Sequence, residues 1–148
     1  MRVGIQDIAE QLAVLLARAA LGLFLAGVFG LGLYILLLPV VQSFWQIKDI
    51  NFALLGVLTV GFGAGVGSFL AWLNRDLHLS KTLLILFLSI VAATIGAWIG
   101  LHENRDAFKL GGMPGIPALT GIVIGAILGA NLLNVPIWIA WSIRNPRI

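Results

Sequence analysis

The sequence predicts an all-α integral membrane protein. Four transmembrane helices form an up-down bundle, with an amphipathic helix at the membrane interface before them. Three observations carry this. The chain is 60% hydrophobic and only 10% charged, where a soluble domain carries roughly 25% charge. Its charged residues collect in the gaps between long apolar runs. Each of these runs is long enough, at about 1.5 Å per residue, to cross a hydrocarbon core of about 30 Å. A length of 148 residues allows one domain and no sizeable soluble module.

Residues 1–18 have helical periodicity. Ile5, Ile8, Leu12, Leu15 and Leu16 recur at three- and four-residue spacing, while Arg2, Asp7, Glu10 and Gln11 are polar, so the segment is expected to lie in the interface and turn into the first span. Asp7 and Glu10 spoil the basic start of a signal peptide and the apolar run that follows is too long for one, so the segment is expected to stay on the chain. Residues 19–148 then form the four-helix domain, with spans at about 19–41, 50–73, 82–101 and 118–141.

The first span has no charge between Arg18 and Lys48 and carries Gly22, Ala26 and Gly30 as a stripe. Pro39 is expected to end or kink it, with Phe44 and Trp45 at the interface. The loop 46–51 is short, which makes the first two spans antiparallel neighbours.

The second span holds Gly61-Phe62-Gly63-Ala64-Gly65-Val66-Gly67-Ser68. Gly61 pairs with Gly65 and Gly63 with Gly67 at four-residue spacing. In lipid, helices associate through close contact between small residues rather than through the hydrophobic effect. On a helical wheel these small residues cover about half the circumference, wide enough for two or more neighbouring helices.

Ser80 is the expected N-cap of the third span, which carries Ala92, Gly96 and Gly100. The loop 102–117 opens with the polar run His102 to Asp106 and ends in a turn-rich Gly/Pro stretch. Gly121, Gly125 and Gly129 stripe the fourth span. Asn131 and Asn134 fall away from that stripe, and Pro136 is expected to kink or break the helix. Trp138 and Trp141 suit the interface, with Arg144 and Arg147 beyond.

Basic residues set the orientation. Arg2, Arg18, Arg75, Lys81, Arg144 and Arg147 share one side, and Lys48, Arg105 and Lys109 the other. Both termini are therefore expected in the cytoplasm of a cell with this chain in its inner (plasma) membrane. Gly61, Gly65, Leu73 and Asn74 recur as Gly121, Gly125, Leu133 and Asn134 at an offset of 60, which reflects shared membrane chemistry rather than duplication.

Chemistry-bearing residues are sparse. The chain has no cysteine, which removes thiolate metal sites, iron–sulfur ligation and covalent haem attachment. His78 and His102 are about 36 Å apart along one helix and belong to opposite faces. His102, Glu103 and Asp106 read as a solvated loop cluster rather than a metal site. The hydroxyls of Thr59, Ser68, Ser89, Thr94 and Thr120 have no histidine or carboxylate in their own runs to activate them. The expectation is therefore a chain that is not catalytic by itself and binds no cofactor alone, structural lipid apart. Asn131 and Asn134 are the sharpest polar signal, with cross-helix hydrogen bonding or backbone capping favoured over a binding site. The stripes of Gly61, Gly63, Gly65, Gly67, Gly121, Gly125 and Gly129 are helix-packing surfaces, and any one of them is expected to pack within the bundle. Small residues on all four spans exceed what one four-helix bundle needs, so other chains are expected against the surplus.

Two small four-span families are tested by particular residues. Gly65-Val66-Gly67-Ser68 followed by Asn74-Arg75 resembles the glycine-rich first helix of dual-topology fluoride channels, but the third span lacks their polar break. Small multidrug exporters carry a glutamate within the first span, and here Glu10 precedes it. In size, span count and missing ligands the whole chain resembles the four-span accessory subunit of alternative complex III, a bacterial energy-transducing quinol oxidoreductase. The resemblance implies a non-catalytic accessory subunit that stabilises assembly against larger integral membrane subunits. Haem, iron–sulfur clusters and the quinol site would then belong to those partners. The alternative is a small homo-oligomeric channel or carrier lined by Asn131 and Asn134.

Overall fold

Each apolar run folds as one helix. The computed structural model describes residues 5–44, 52–73, 78–103 and 116–144. Helix α1 is Ile5–Phe44, α2 Phe52–Trp72, α3 Leu79–Glu103 and α4 Ile116–Arg144. A helix satisfies its backbone polar groups within itself, which is what a hydrocarbon solvent demands of a spanning segment. Apolar stretches long enough to cross a membrane run over Leu12–Val41, Ala53–Trp72, Leu79–Glu103 and Ala118–Ala140. The interhelical loops at 46–51 and 104–115, Trp45, Arg75, Asp76, the Asn104–Asp106 part of the polar run and Arg147 lie outside the described residues, as do the side chains of Trp141 and Arg144.

Three boundaries differ from the sequence reading. Helix α1 has 40 residues, about 60 Å of helix, and runs unbroken through Arg18 and Ala19, so no chain break there turns the N-terminal segment into the interface plane. It also passes through Pro39, as α4 passes through Pro136. Each proline removes one backbone hydrogen bond, a loss that a spanning helix tolerates when neighbouring groups absorb it. At the start of α3 the cap is His78, not Ser80. The His78 carbonyl accepts from the Lys81 and Thr82 amides at 2.9 and 3.1 Å and from the Thr82 hydroxyl at 3.2 Å. Ser80 Oγ instead meets His78 Nδ1 at 3.0 Å.

Helix α2 is the pivot of the bundle and touches the other three, while α1 and α3 take opposite corners. Residue pairings fix the directions. Against α1, Gly63 lies at Phe29–Gly30 and Gly67 at Leu25–Ala26, an antiparallel register. Against α3, Gly61 lies at Thr94 and Gly65 at Ile90, again antiparallel. Against α4 the register is parallel, with Gly56 beside Ile122, Ser68 beside Asn134 and Trp72 beside Trp138. The bundle is therefore up-down.

The small residues decide how closely the helices approach. A Cβ added at Gly63 or Gly67 would enter the backbone of α1, at the carbonyls of Phe29 and Leu25. One at Gly61 would stand 2.7 Å from Thr94 Cα, and one at Gly65 2.5 Å from Ile90 Cα. In the second hairpin, Gly96 and Gly100 press on the carbonyls of Gly125 and Gly121, and Gly129 on that of Ala92. The two glycine pairs of α2 thus serve two partners, as the width of its small-residue arc implies. All seven striped glycines of α2 and α4 lie against helices of the same chain. These stripes therefore do not by themselves require a second chain. Nor do the residues matched at an offset of 60 play equivalent parts. Gly61 and Gly65 face the helix after their own, whereas Gly121 and Gly125 face the helix before.

Ala26, Val57, Val60, Ala64, Ala93, Ala97, Ile122, Ala126 and Ala130 fill the shared interior. Most are small, which fits helices held this close.

Candidate functional site

Four polar side chains interrupt the apolar interior at one level of the bundle: Ser68 of α2, Ser89 of α3, and Asn131 and Asn134 of α4, all buried. The two asparagines sit three residues apart, on a face of α4 turned toward α2, while the Gly121/Gly125/Gly129 face meets α3. The spacing of the helix puts glycines and amides on different sides, and both sides are inside the bundle because α4 meets α3 on one and α2 on the other.

The hydrogen bonds run in a definite order. Asn134 Nδ2 donates to Ser68 Oγ at 2.9 Å and to Ser89 Oγ at 2.8 Å. Ser89 Oγ in turn donates to the Gly65 carbonyl at 3.0 Å. Ser68 Oγ donates to Asn131 Oδ1 at 3.3 Å, which also accepts from Trp72 Nε1 at 3.2 Å. Asn131 Nδ2 returns to its own helix, at the Ile127 carbonyl, 2.9 Å away. One amide thereby ties α4 to both α2 and α3. Asn134 Oδ1 is buried and accepts no hydrogen bond.

Gly22 of α1 closes the fourth side. A Cβ there would stand 2.7 Å from Asn131 Oδ1 and 2.9 Å from Trp72 Nε1, so the indole–amide bond occupies the room the glycine leaves. Below it, the Trp72 and Trp138 rings lie 5.8 Å apart at 58°. The Arg18 guanidinium stands 5.5 Å over the Trp138 ring. Its Nη1 is buried and makes no hydrogen bond.

Of the residues singled out from sequence, Asn131 and Asn134 come together here. Gly61, Gly63, Gly65, Gly67, Gly121, Gly125 and Gly129 line the interfaces around them. Ser89 and Arg18 were passed over. Ser89 begins the four-residue buried stripe Ser89, Ala93, Ala97, Leu101, a periodicity that would have placed it inside. Arg18, a flank of the first span by sequence, lies within the apolar stretch Leu12–Val41.

Amides, hydroxyls and an indole can bind and orient polar groups, but they do not exchange protons near neutral pH. Among the described residues no three of His, Asp and Glu gather as metal ligands would. His102 and Glu103 are exposed at the far end of α3.

The chain matches no protein-family model, no curated protein and no solved structure. Its helices and their pairing define a multi-pass membrane protein, a four-helix bundle with a hydrogen-bonded polar layer.

Proposed function

We propose that the chain is a non-catalytic transmembrane subunit that stabilises a larger membrane assembly. Its resemblance in size, span count and missing ligands to the accessory chain of a quinol oxidoreductase makes an energy-transducing, electron-transport assembly the specific reading. The observation that carries the structural part is the use of the polar layer. Asn134 divides its amide between Ser68 and Ser89, and Asn131 accepts from Ser68 and Trp72. These groups lock α2, α3 and α4 together, and a carrier would need them turned toward a path. The outer surface supports a partner-facing or lipid-facing role. Phe24, Phe62, Phe87 and Trp98 point outward from three different helices.

The experiment is extraction of native membranes in mild detergent, purification through this chain, and mass spectrometry of what accompanies it. Stoichiometric larger subunits bearing haem or iron–sulfur motifs are expected. Recovery of this chain alone as a defined homo-oligomer would overturn the reading and favour the channel or carrier.

A further inference from the structure

Arg18 is a cation inside an apolar stretch, and no described acid pairs with it. Its guanidinium lies over Trp138, and Nη1 is buried without a hydrogen bond. Desolvating a charged donor without a partner is costly. The residue as a whole is only partly covered. It emerges between α1 and α4, helices that touch only sparingly. Both helices expose apolar side chains, among them Leu21 and Phe24 on α1 and Leu132 and Ile139 on α4.

The surroundings select the charge of a ligand. Helix alternation puts the start of α1, the end of α2, the start of α3 and the end of α4 at one end of the bundle. Among the described residues that end carries Arg18, Lys81 and Arg144 against Asp7 and Glu10. The other end carries, among the described charged residues, Glu103. Among the described residues the basic excess thus lies at the end of Arg18. Trp72 and Trp138 mark the same level as headgroup-proximal, where tryptophans concentrate. A guanidinium over an indole, on a side chain only partly covered and in an apolar stretch of helix, suits a phosphodiester whose acyl chains lie along the helices.

We propose that Arg18, positioned by Trp138, binds the phosphate of an anionic phospholipid in the seam between α1 and α4. The site goes beyond the assembly role and exists in the isolated chain.

The test is native mass spectrometry of the full chain purified in a non-ionic detergent. It is titrated with phosphatidylglycerol and with phosphatidylcholine of the same acyl chains. The wild-type chain should retain phosphatidylglycerol in preference. Arg18→Gln should cut that retention about fivefold, the worth of one arginine near a charged headgroup. Lys81→Gln, at the same end but exposed, should leave it unchanged. Equal retention of the two lipids by the wild type would overturn the proposal, whatever the variants do, so it survives a variant that fails to fold. So would an unchanged preference in folded Arg18→Gln. Displacement of the lipid by millimolar inorganic phosphate would show a site for free anions and would overturn the lipid assignment.

Discussion

Gly96 and Gly125 lie backbone to backbone, each blocking the other: a Cβ at either would run into the carbonyl of its partner. Gly125→Ala therefore has to push α3 and α4 apart and should cost about 1–3 kcal/mol, the usual range for an overfilled contact. Gly32→Ala is the control, since nothing lies within 4 Å of the added methyl. Reversible unfolding in detergent, followed by circular dichroism, should separate the two. Equal stabilities would mean that the hairpin is not held by this contact.

Asn134→Leu removes the donor shared by Ser68 and Ser89 and leaves both hydroxyls without it. Hydrogen bonds between membrane helices are worth about 0.6 kcal/mol on average and at most about 1.7, so the loss should be about 1–3 kcal/mol. A double-mutant cycle with Ser89→Ala isolates one bond. A coupling indistinguishable from zero would remove Asn134 from the set of groups that hold the bundle.

Gly22→Ala should disturb the bond between Trp72 and Asn131, because the new methyl lands against both. Tryptophan emission is the readout. Gly27→Ala meets only Ile127 at an ordinary 3.6 Å and should leave the spectrum in place. Matching shifts in both variants would place the fluorescence change elsewhere.

Orientation is open to a direct check because the chain has no cysteine of its own. Ser80 and Glu103 are exposed at opposite ends of α3. In intact spheroplasts a membrane-impermeant maleimide should label Glu103→Cys and spare Ser80→Cys until the membrane is opened. The reverse pattern would put the termini outside.

The spans were legible because charge is excluded from them, and that exclusion is a property of single residues. Helix ends were read less well. Proline signals a stop in water, but α1 and α4 continue through Pro39 and Pro136 since lipid offers no alternative to the helix. Glycine spacing announced close contacts and, on α2, more than one partner. It did not say which partner. That Gly63 and Gly67 meet α1 while Gly61 and Gly65 meet α3 depends on the rotation of α2, which only the assembled bundle fixes. The amides were visible as polar residues in a span, whereas Ser89 looked like any membrane serine until Asn134 stood 2.8 Å away. The contact of Arg18 with Trp138 joins residues 120 positions apart, which no local spacing announces.

The pivotal position of α2 bears on how the chain is made. Its apolar stretch is the least hydrophobic of the four, with mean hydropathy 1.9 against 2.4 for α1 and α3, and the most enclosed, 61% buried. The glycines that let it sit at the centre make it the poorest candidate to partition into lipid alone. As synthesis proceeds, α1 is already available when α2 emerges, and its Gly22/Ala26/Gly30 stripe can receive Gly63 and Gly67 at once. The Gly61/Gly65 side waits for α3, and the Ser68 side for α4. Until then the nascent protein carries an unfinished helix in the bilayer, and a chain truncated after α2 presents that open flank to whatever membrane machinery attends its insertion.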